Sequence, residues 1–262
     1  MSGTTDYVNG QFCWVTLLAK DQSGAKAFYG KLFGWETDDV EMPGGPPYTM
    51  FTLGGKRVGG LVGMDDAEKS SGMPPMWHSY INVDDADAAT SRAVQLGGTV
   101  LMPPIQVSDA GRMAMIQDPT GAAVLFWQKQ NHGGAQLAGV PNTWNWNELY
   151  AGDPETAMRF FAGLFGWTYV KEPSARHDYW IHHVGDRMNG GIMRKPPEMQ
   201  QAPSHWTVYF DVADLSAALD ALSSLGGAVC VPPFAVSVGT IAVVSDPQGA
   251  MFCLIQMRTP AD

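Results

Sequence analysis

Apolar residues recur along this chain with two spacings, every second residue in short runs and every third or fourth residue in longer ones. The first spacing is typical of half-buried strands, and the second is typical of amphipathic helices. In the first half, the pattern predicts six strands, at Phe12–Leu18, Tyr48–Leu53, Gly59–Met64, His78–Val83, Arg112–Gln117 and Ala123–Gln128. Equivalent runs follow in the second half.

Each predicted helix follows an acidic residue and ends near a glycine. Asp side chains cap free N–H groups at helix starts, and glycine favours the left-handed turn at helix ends. The candidate caps are Asp21, Asp84 or Asp85, Asp153 and Asp214, and the candidate ends are Gly34, Gly97, Gly166 and Gly226. The order of strand, helix and further strands therefore occurs four times.

The two halves of the chain are copies of one another. The segment FCWVTLLAKDQSGAKAFYGKLFGW, from Phe12, aligns with WNWNELYAGDPETAMRFFAGLFGW, from Trp144. A repeat of this length indicates a duplicated domain. We expect one domain at residues 8–130 and a second at 143–259, joined by an exposed, Gly- and Pro-containing linker at 131–142.

Composition and charge restrict the classes of partner. The formal net charge of −10 opposes binding to nucleic acid or to an anionic membrane surface. No apolar run approaches the roughly 18 residues of a membrane span, and the first ten residues lack a signal-peptide pattern. We expect a soluble, cytoplasmic protein. Nine Trp and 15 Met residues fit a cavity for a small flat or apolar molecule.

A family resemblance rests on three motifs. DxxxAxxFYxxLFGW from Asp21, a later LGG, and DPxG hairpins at Asp118 and Asp246 resemble the glyoxalase, bleomycin-resistance and extradiol-dioxygenase superfamily, the vicinal oxygen chelate fold. The tandem arrangement, with WNEL at Trp146, resembles two-domain actinobacterial glyoxalase-like proteins, some of them named hydroxylases from polyketide-antibiotic gene clusters. The resemblance implies an α+β fold of two tandem domains. Each domain would pair two βαβββ modules into a cup-shaped mixed β-sheet flanked by helices.

The same resemblance implies where a divalent metal would bind. Metal-dependent members take ligands from the first strand of each module and from the closing strands. The corresponding positions in the first and second domains are Trp14 and Trp146, His78 and Thr207, and Leu125 and Cys253. Neither domain retains more than one ligand, and an octahedral site needs several N or O donors. We therefore expect no metal and no cofactor. His78 is interpreted first as a core histidine.

The second half carries the candidate chemistry. Strict alternation on the strand from Trp144 puts Trp144, Trp146, Glu148 and Tyr150 on the cup face. Burial there would raise the pKa of Glu148 towards a range useful for proton transfer. Its counterpart in the first half is Thr16. His205, Thr207 and Tyr209 alternate on the neighbouring strand, so Glu148, His205 and Tyr209 are the candidate catalytic group. Glu148 could equally have a structural role at the domain interface.

Three functions remain open. The first is metal-independent binding of an aromatic or polyketide-like molecule, in the setting of antibiotic biosynthesis or resistance. The second is a cofactor-free isomerase, lyase or hydroxylase-type enzyme with Glu148 as base. The third, which needs the most compensating changes, is a metal enzyme with His78 or Glu148 as new ligands.

Trp14 and Trp146 either fill the cups or offer stacking surfaces to a ligand. The candidate ligand-binding residues are Trp14, His78, Tyr80, Trp144, Trp146, Tyr150 and Thr207. We expect a monomer with its domains paired, or a weak homodimer.

Overall fold

The first half of the computed structural model forms an eight-stranded mixed sheet. The structure describes residues 6–42, 45–173, 175 and 177–258. The strands are β1 (Phe12–Ala19), β2 (Glu36–Val40), β3 (Tyr48–Leu53), β4 (Lys56–Gly63), β5 (Met76–Asn82), β6 (Thr99–Val107), β7 (Gly111–Gln117) and β8 (Ala123–Lys129). The helices are α1 (Gln22–Phe33), α2 (Asp66–Ser70) and α3 (Ala86–Gln95). The strand order is β2-β3-β4-β1-β5-β8-β7-β6.

The second half repeats this arrangement. Its strands are β9 (Trp144–Ala151), β10 (Thr168–Lys171), β11 (Tyr179–Val184), β12 (Arg187–Arg194), β13 (His205–Asp211), β14 (Ala228–Val236), β15 (Gly239–Ser245) and β16 (Met251–Met257). Its helices are α4 (Pro154–Phe165) and α5 (Leu215–Ser224), with a 3₁₀ turn at Pro197–Met199. The order β10-β11-β12-β9-β13-β16-β15-β14 matches that of the first sheet. The predicted architecture of two tandem α+β domains is confirmed, and we call the concave faces the N-terminal cup and the C-terminal cup.

The predicted helix caps are also confirmed. Side chains at four N-caps accept hydrogen bonds from backbone N–H groups, namely those of Asp21, Asp85, Asp153 and Asp214. Gly34 and Gly166 end α1 and α4 in the left-handed conformation, with φ of 72° and 71°. Local chemistry therefore fixes these helix boundaries.

The hydrophobic pattern did not predict three elements of the first domain, namely β2, β6 and α2. Strand β2 is exposed along its whole length and carries the polar sequence ETDDV, so it shows no alternation. Strand β6 contains Pro103 and Pro104, and its register with β7 shifts around them. Helix α2 is a short turn with a capping box between Asp65 and Glu68. The sequences of β2 and β6 do not alternate between apolar and polar residues, and α2 is too short to show a helical period.

The two domains pack back to back through their helices and the convex faces of their sheets. Phe33 of α1 lies against Phe210 of β13, with ring centroids 5.2 Å apart. Phe126 of β8 lies against Phe165 of α4 at 5.6 Å. Ser79 Oγ also donates to Asn147 Oδ1 across the interface, at 2.7 Å. One continuous hydrophobic core therefore spans both domains.

The segment 131–142 is not the exposed linker that its composition predicts. His132 is 6% exposed and Ala135 is 2% exposed. The Ala135 N–H donates to the Cys13 carbonyl of β1 at 2.8 Å, and the Gln136 N–H donates to the Arg57 carbonyl of β4 at 2.8 Å. The segment therefore packs onto the first domain, because its backbone groups find partners there.

No helix in the described ranges combines the length and the apolar character that crossing a membrane requires.

Candidate functional site in the C-terminal cup

A buried carboxyl group lies in the C-terminal cup. Glu148, in the middle of β9, is paired with Thr207 of β13 on one side and with Gly191 of β12 on the other. It is 5% exposed. The Tyr209 hydroxyl donates to Glu148 Oε1 at 2.8 Å. The hydroxyls of Tyr179 and Tyr150 also act on this carboxyl group and lower its pKa.

We call Glu148, Tyr150, Tyr179 and Tyr209 the Glu148 cluster. Burial raises the pKa of Glu148, and the hydrogen bonds from the three tyrosines oppose that rise without cancelling it. Burial likewise raises the pKa of each tyrosine hydroxyl well above its usual value. The tyrosines therefore remain protonated donors, and Glu148 holds its proton to higher pH than an exposed glutamate does.

Tyr179 was not among the residues selected from the sequence. The Trp146 indole N–H donates to the Tyr179 hydroxyl at 3.1 Å. That hydroxyl occupies the space that a side chain on Gly191 would fill. The N-terminal cup has the same arrangement, since the Trp14 indole N–H donates to the hydroxyl of Tyr48, which lies over Gly60. The repeated Gly-Gly pairs of β4 and β12 are the sequence signal that could have revealed it.

His205 lies at the edge of the Glu148 cluster. Its ring is parallel to that of Tyr150, with centroids 5.3 Å apart and an interplanar angle of 7°. Its Nδ1 donates to the Pro203 carbonyl at 2.9 Å, which leaves Nε2 as the acceptor in the neutral ring. The structure therefore brings Tyr209 to Glu148 and places His205 against Tyr150.

Strict alternation along β9 is wrong for Trp144. The register shifts between Tyr209 and Phe210 of β13, so that Trp146 pairs with Tyr209 and Trp144 pairs with Phe210. Consecutive strand residues point to opposite faces, so this bulge turns Trp144 away from the cup. Trp144 instead belongs to the core shared by the two domains. Thr207 is half-buried on the cup face, opposite Glu148.

The N-terminal cup has different polar residues at its centre. Thr16 pairs with His78, and Trp14 pairs with Tyr80. The hydroxyls of Thr16 and Tyr48 share a hydrogen bond of 2.8 Å. Burial lowers the pKa of His78 to about 4, so that the ring is neutral at neutral pH. This cup therefore places a threonine where the C-terminal cup has Glu148.

The segment between the domains covers the tryptophan of the N-terminal cup. The His132 ring stands edge-on to Trp14, with centroids 4.5 Å apart, and also contacts Trp127 at 5.6 Å. Trp14 is 2% exposed as a result. Its counterpart Trp146 is half-buried. The two cups thus differ in how much of the indole ring a ligand could reach.

The donor set does not fit the divalent ion that the resemblance implies. The indole N–H groups of Trp14 and Trp146 are donors and have no lone pair for a metal. Cys253 is buried, and burial raises the pKa of its thiol, which disfavours the thiolate. Among the described residues, no three His, Cys, Asp or Glu side chains are placed to hold a metal. Glu148 already accepts a hydrogen bond from the Tyr209 hydroxyl.

Two family models match the chain in tandem. The model described as the glyoxalase/bleomycin resistance protein/dioxygenase superfamily matches residues 11–126, and the glyoxalase-like domain model matches residues 148–255. These matches fall within the two predicted domains, and the predicted outer boundaries remain a prediction. Residue 259, the last of the predicted second domain, lies outside the described residues.

Several relatives and solved structures match over nearly the whole chain. The glyoxylase-named protein CFP32 of Mycobacterium tuberculosis is 43% identical, covering 98% of each chain. The anthracycline biosynthesis protein DnrV of Streptomyces peucetius is 32% identical, covering 97% of this chain and 96% of that one.

Two of the solved structures share the fold at low identity. The Mn(II)-bound glyoxalase from Novosphingobium aromaticivorans has a TM-score of 0.64 at 16% identity, covering 98% of this chain and 83% of that one. The 2,3-dioxygenase LapB from Pseudomonas has a TM-score of 0.65 at 14% identity, covering 96% and 95%. The chain therefore belongs to the glyoxalase/bleomycin resistance protein/dioxygenase superfamily and carries two of its domains in tandem.

Proposed function

We propose that this protein binds a small aromatic, polyketide-like molecule in its C-terminal cup, without a metal ion. The observation that carries the proposal is the Glu148 cluster beside the half-buried ring of Trp146. The equivalent ring of Trp14 is covered by His132. A role in antibiotic biosynthesis or resistance follows from this class of ligand.

The walls of the C-terminal cup suit an apolar ring system. A cluster of Tyr209, Ile241, Cys253 and Ile255 is buried there, and Trp146, Phe234, Val236 and Val243 pack against it. Val231, paired with Val243 across β14 and β15, is 42% exposed. An apolar ligand would remove this surface from water, and the hydroxyls of the Glu148 cluster would orient its polar groups.

The donor chemistry supports the metal-independent part of the proposal. A catalytic divalent ion needs several oxygen or nitrogen ligands with open positions for substrate. The corresponding positions carry Trp146, Thr207 and Cys253 in the C-terminal cup, and the buried Glu148 lies beside Thr207. A single desolvated carboxyl group does not supply such a site.

The relatives support the class of ligand. The names of two Streptomyces relatives, each 32% identical, state that they are anthracycline biosynthesis proteins. Anthracyclines have a flat polycyclic aromatic body, and such a body matches a cup lined by Trp146 and apolar side chains. An anthracycline aglycone is therefore the first probe to use.

Native mass spectrometry of the untagged, freshly purified chain tests metal independence. We expect its mass to equal that of the denatured chain or to exceed it by an organic ligand. Titration calorimetry with the aglycone, before and after EDTA treatment, should give the same affinity. A stoichiometric metal adduct, or binding that EDTA abolishes and Mn²⁺ restores, would contradict the metal-independent proposal.

A second candidate function is proton transfer by Glu148. The observation that favours it is the direct hydrogen bond of 2.8 Å from Tyr209 to a carboxyl group whose pKa burial raises. Glu148 would accept a proton from the bound ligand, and Tyr209 would stabilise the resulting charge. If the aglycone is turned over, Glu148→Gln should abolish turnover, because the substitution keeps the shape and removes the base. Full activity in that variant would exclude this role.

A further inference from the structure

Resting on the proposed function, we propose that the C-terminal cup recognises an ammonium group, so that its ligand is an amine-bearing molecule. Glu148 would provide the counter-charge at the centre of the cup. The rings of Trp146, Tyr150 and Tyr179 would form the walls around the cation. This assigns the chemical class of the ligand and gives the Glu148 cluster a role in selectivity.

The aromatic rings surround the carboxyl group at close range. Tyr209 donates to Glu148 at 2.8 Å, and the hydroxyls of Tyr150 and Tyr179 also lower the pKa of this carboxyl group. Trp146 is joined to Tyr179 by its indole N–H. Trp146, Tyr150 and Tyr179 are half-buried, so part of each side chain is open to a ligand. An aromatic surface beside a carboxylate is the arrangement that attracts organic cations, because both ring faces and carboxylate are negative.

The acid and one of the rings are special to the C-terminal cup. The aligned positions of the N-terminal cup carry Thr16 in place of Glu148 and Leu18 in place of Tyr150. The tryptophan and the tyrosine bonded to it are present in both cups. The shared pair therefore belongs to the framework, and Glu148 and Tyr150 distinguish the chemistry of the C-terminal cup.

Glu148 lacks a cationic partner within the described part of the chain. Its hydrogen bonds come from tyrosine hydroxyls, and none of the ion pairs between described residues includes it. A buried acid without a counter-charge is costly to ionise. A bound ammonium group would supply that charge, whereas an anionic ligand would be repelled by the Glu148 carboxylate.

The net charge of the whole chain also favours binding of a cationic ligand. With a formal net charge of −10, the protein attracts cations over long range and repels anions. A quaternary ammonium group needs no hydrogen-bond acceptor, so the tyrosine hydroxyls need not give up their bonds to Glu148 when it binds. Attraction by the carboxylate and by the ring faces is then sufficient for recognition.

A pair of isosteric probes tests the proposal on the full chain. Benzyltrimethylammonium and neopentylbenzene have the same shape and differ by one positive charge. We expect quenching of tryptophan fluorescence to give an affinity for the ammonium probe at least about tenfold higher than for the neutral probe. Equal affinities, or no binding of the ammonium probe, would overturn the proposal.

Variants assign the effect to the named residues. Glu148→Gln should lower the affinity for the ammonium probe by about tenfold and leave the affinity for the neutral probe within about twofold of wild type. Tyr150→Leu, which installs the residue of the N-terminal cup, should also weaken the ammonium probe more than the neutral one. Thr16→Val, in the N-terminal cup, is the matched control and should change neither affinity. Circular dichroism verifies the fold of each variant.

Trp146→Leu separates this proposal from the proposed function. If it lowers the affinity for both probes, and wild type binds the charged and the neutral probe equally well, the C-terminal cup binds ligands and the ammonium proposal is wrong. If it changes neither probe, the location in the C-terminal cup is wrong as well. If it weakens both probes and Glu148→Gln weakens only the ammonium probe, both proposals are supported.

Discussion

The hydroxyl of Tyr29 lies 3.1 Å from Oδ2 of Asp246 and joins helix α1 to the last hairpin of the other domain. The same hydroxyl accepts a hydrogen bond from the Trp77 indole N–H at 3.1 Å. The duplicated position in α4 is Phe161, which has no hydroxyl. In the other half of the interface, the indole nitrogen of Trp206 and Oδ2 of Asp118 are buried and have no hydrogen-bond partner among the described residues.

Restoring the missing hydroxyl should stabilise the protein. The Phe161 ring packs on Trp206 at 5.6 Å, as Tyr29 packs on Trp77 at 5.3 Å. We expect Phe161→Tyr to raise the free energy of unfolding by about 1 kcal/mol, because it satisfies two buried polar atoms. Urea denaturation measures this change.

The reverse substitution and a neighbouring one are the controls. Tyr29→Phe should lower the free energy of unfolding by about 1–3 kcal/mol, since it leaves Asp246 and Trp77 each with an unmade bond. Phe160→Tyr adds a hydroxyl to the adjacent buried ring and should not stabilise the chain. A destabilised Phe161→Tyr variant would show that the two halves of the interface are not equivalent.

Gly191 controls the position of Tyr179. A methyl group at this residue would occupy the space of the Tyr179 hydroxyl and push it away from Glu148 and Trp146. We expect Gly191→Ala to cost about 1–3 kcal/mol of stability through overpacking and to weaken aglycone binding about tenfold. Calorimetric titration and thermal unfolding measure the two effects.

Gly60→Ala provides the matched control for that variant. It crowds the Tyr48 hydroxyl in the N-terminal cup in the same way, so we expect a similar loss of stability. Binding in the C-terminal cup should stay within about twofold of wild type. Equal losses of affinity in both variants would mean that the effect comes from general destabilisation.

The pH dependence of stability should report the burial of Glu148. Burial raises its pKa in the folded protein above the value of about 4.3 for an unfolded glutamate. The folded state then binds the proton more tightly, so wild-type stability falls as pH rises from about 4.3 through the folded-state pKa. The Glu148→Gln variant has no group that titrates at this position.

The difference between the two proteins isolates that contribution. The free energy of unfolding of the Glu148→Gln variant, minus that of wild type, should increase between about pH 4 and pH 8. Urea denaturation at several pH values measures it. A difference that is independent of pH would mean that Glu148 is solvated or compensated in the folded state.

The sequence predicted what depends on local chemistry. The Asp caps, the glycine ends and the core-facing strands follow from neighbouring residues, and Asp21 is one example. Three features depend on tertiary structure. A bulge turns Trp144 out of the cup, a missing side chain on Gly191 admits Tyr179, and packing onto β1 and β4 buries His132. None of these leaves a periodic signal in the chain.

Calorimetric titration of an anthracycline aglycone shows whether the C-terminal cup is the ligand site. The comparison is between wild type, Trp146→Leu and Trp14→Leu, each verified as folded. We predict one binding event per chain, weakened at least about tenfold by Trp146→Leu and by no more than about twofold by Trp14→Leu. Loss of binding in Trp14→Leu with no loss in Trp146→Leu would show that the ligand binds in the N-terminal cup instead.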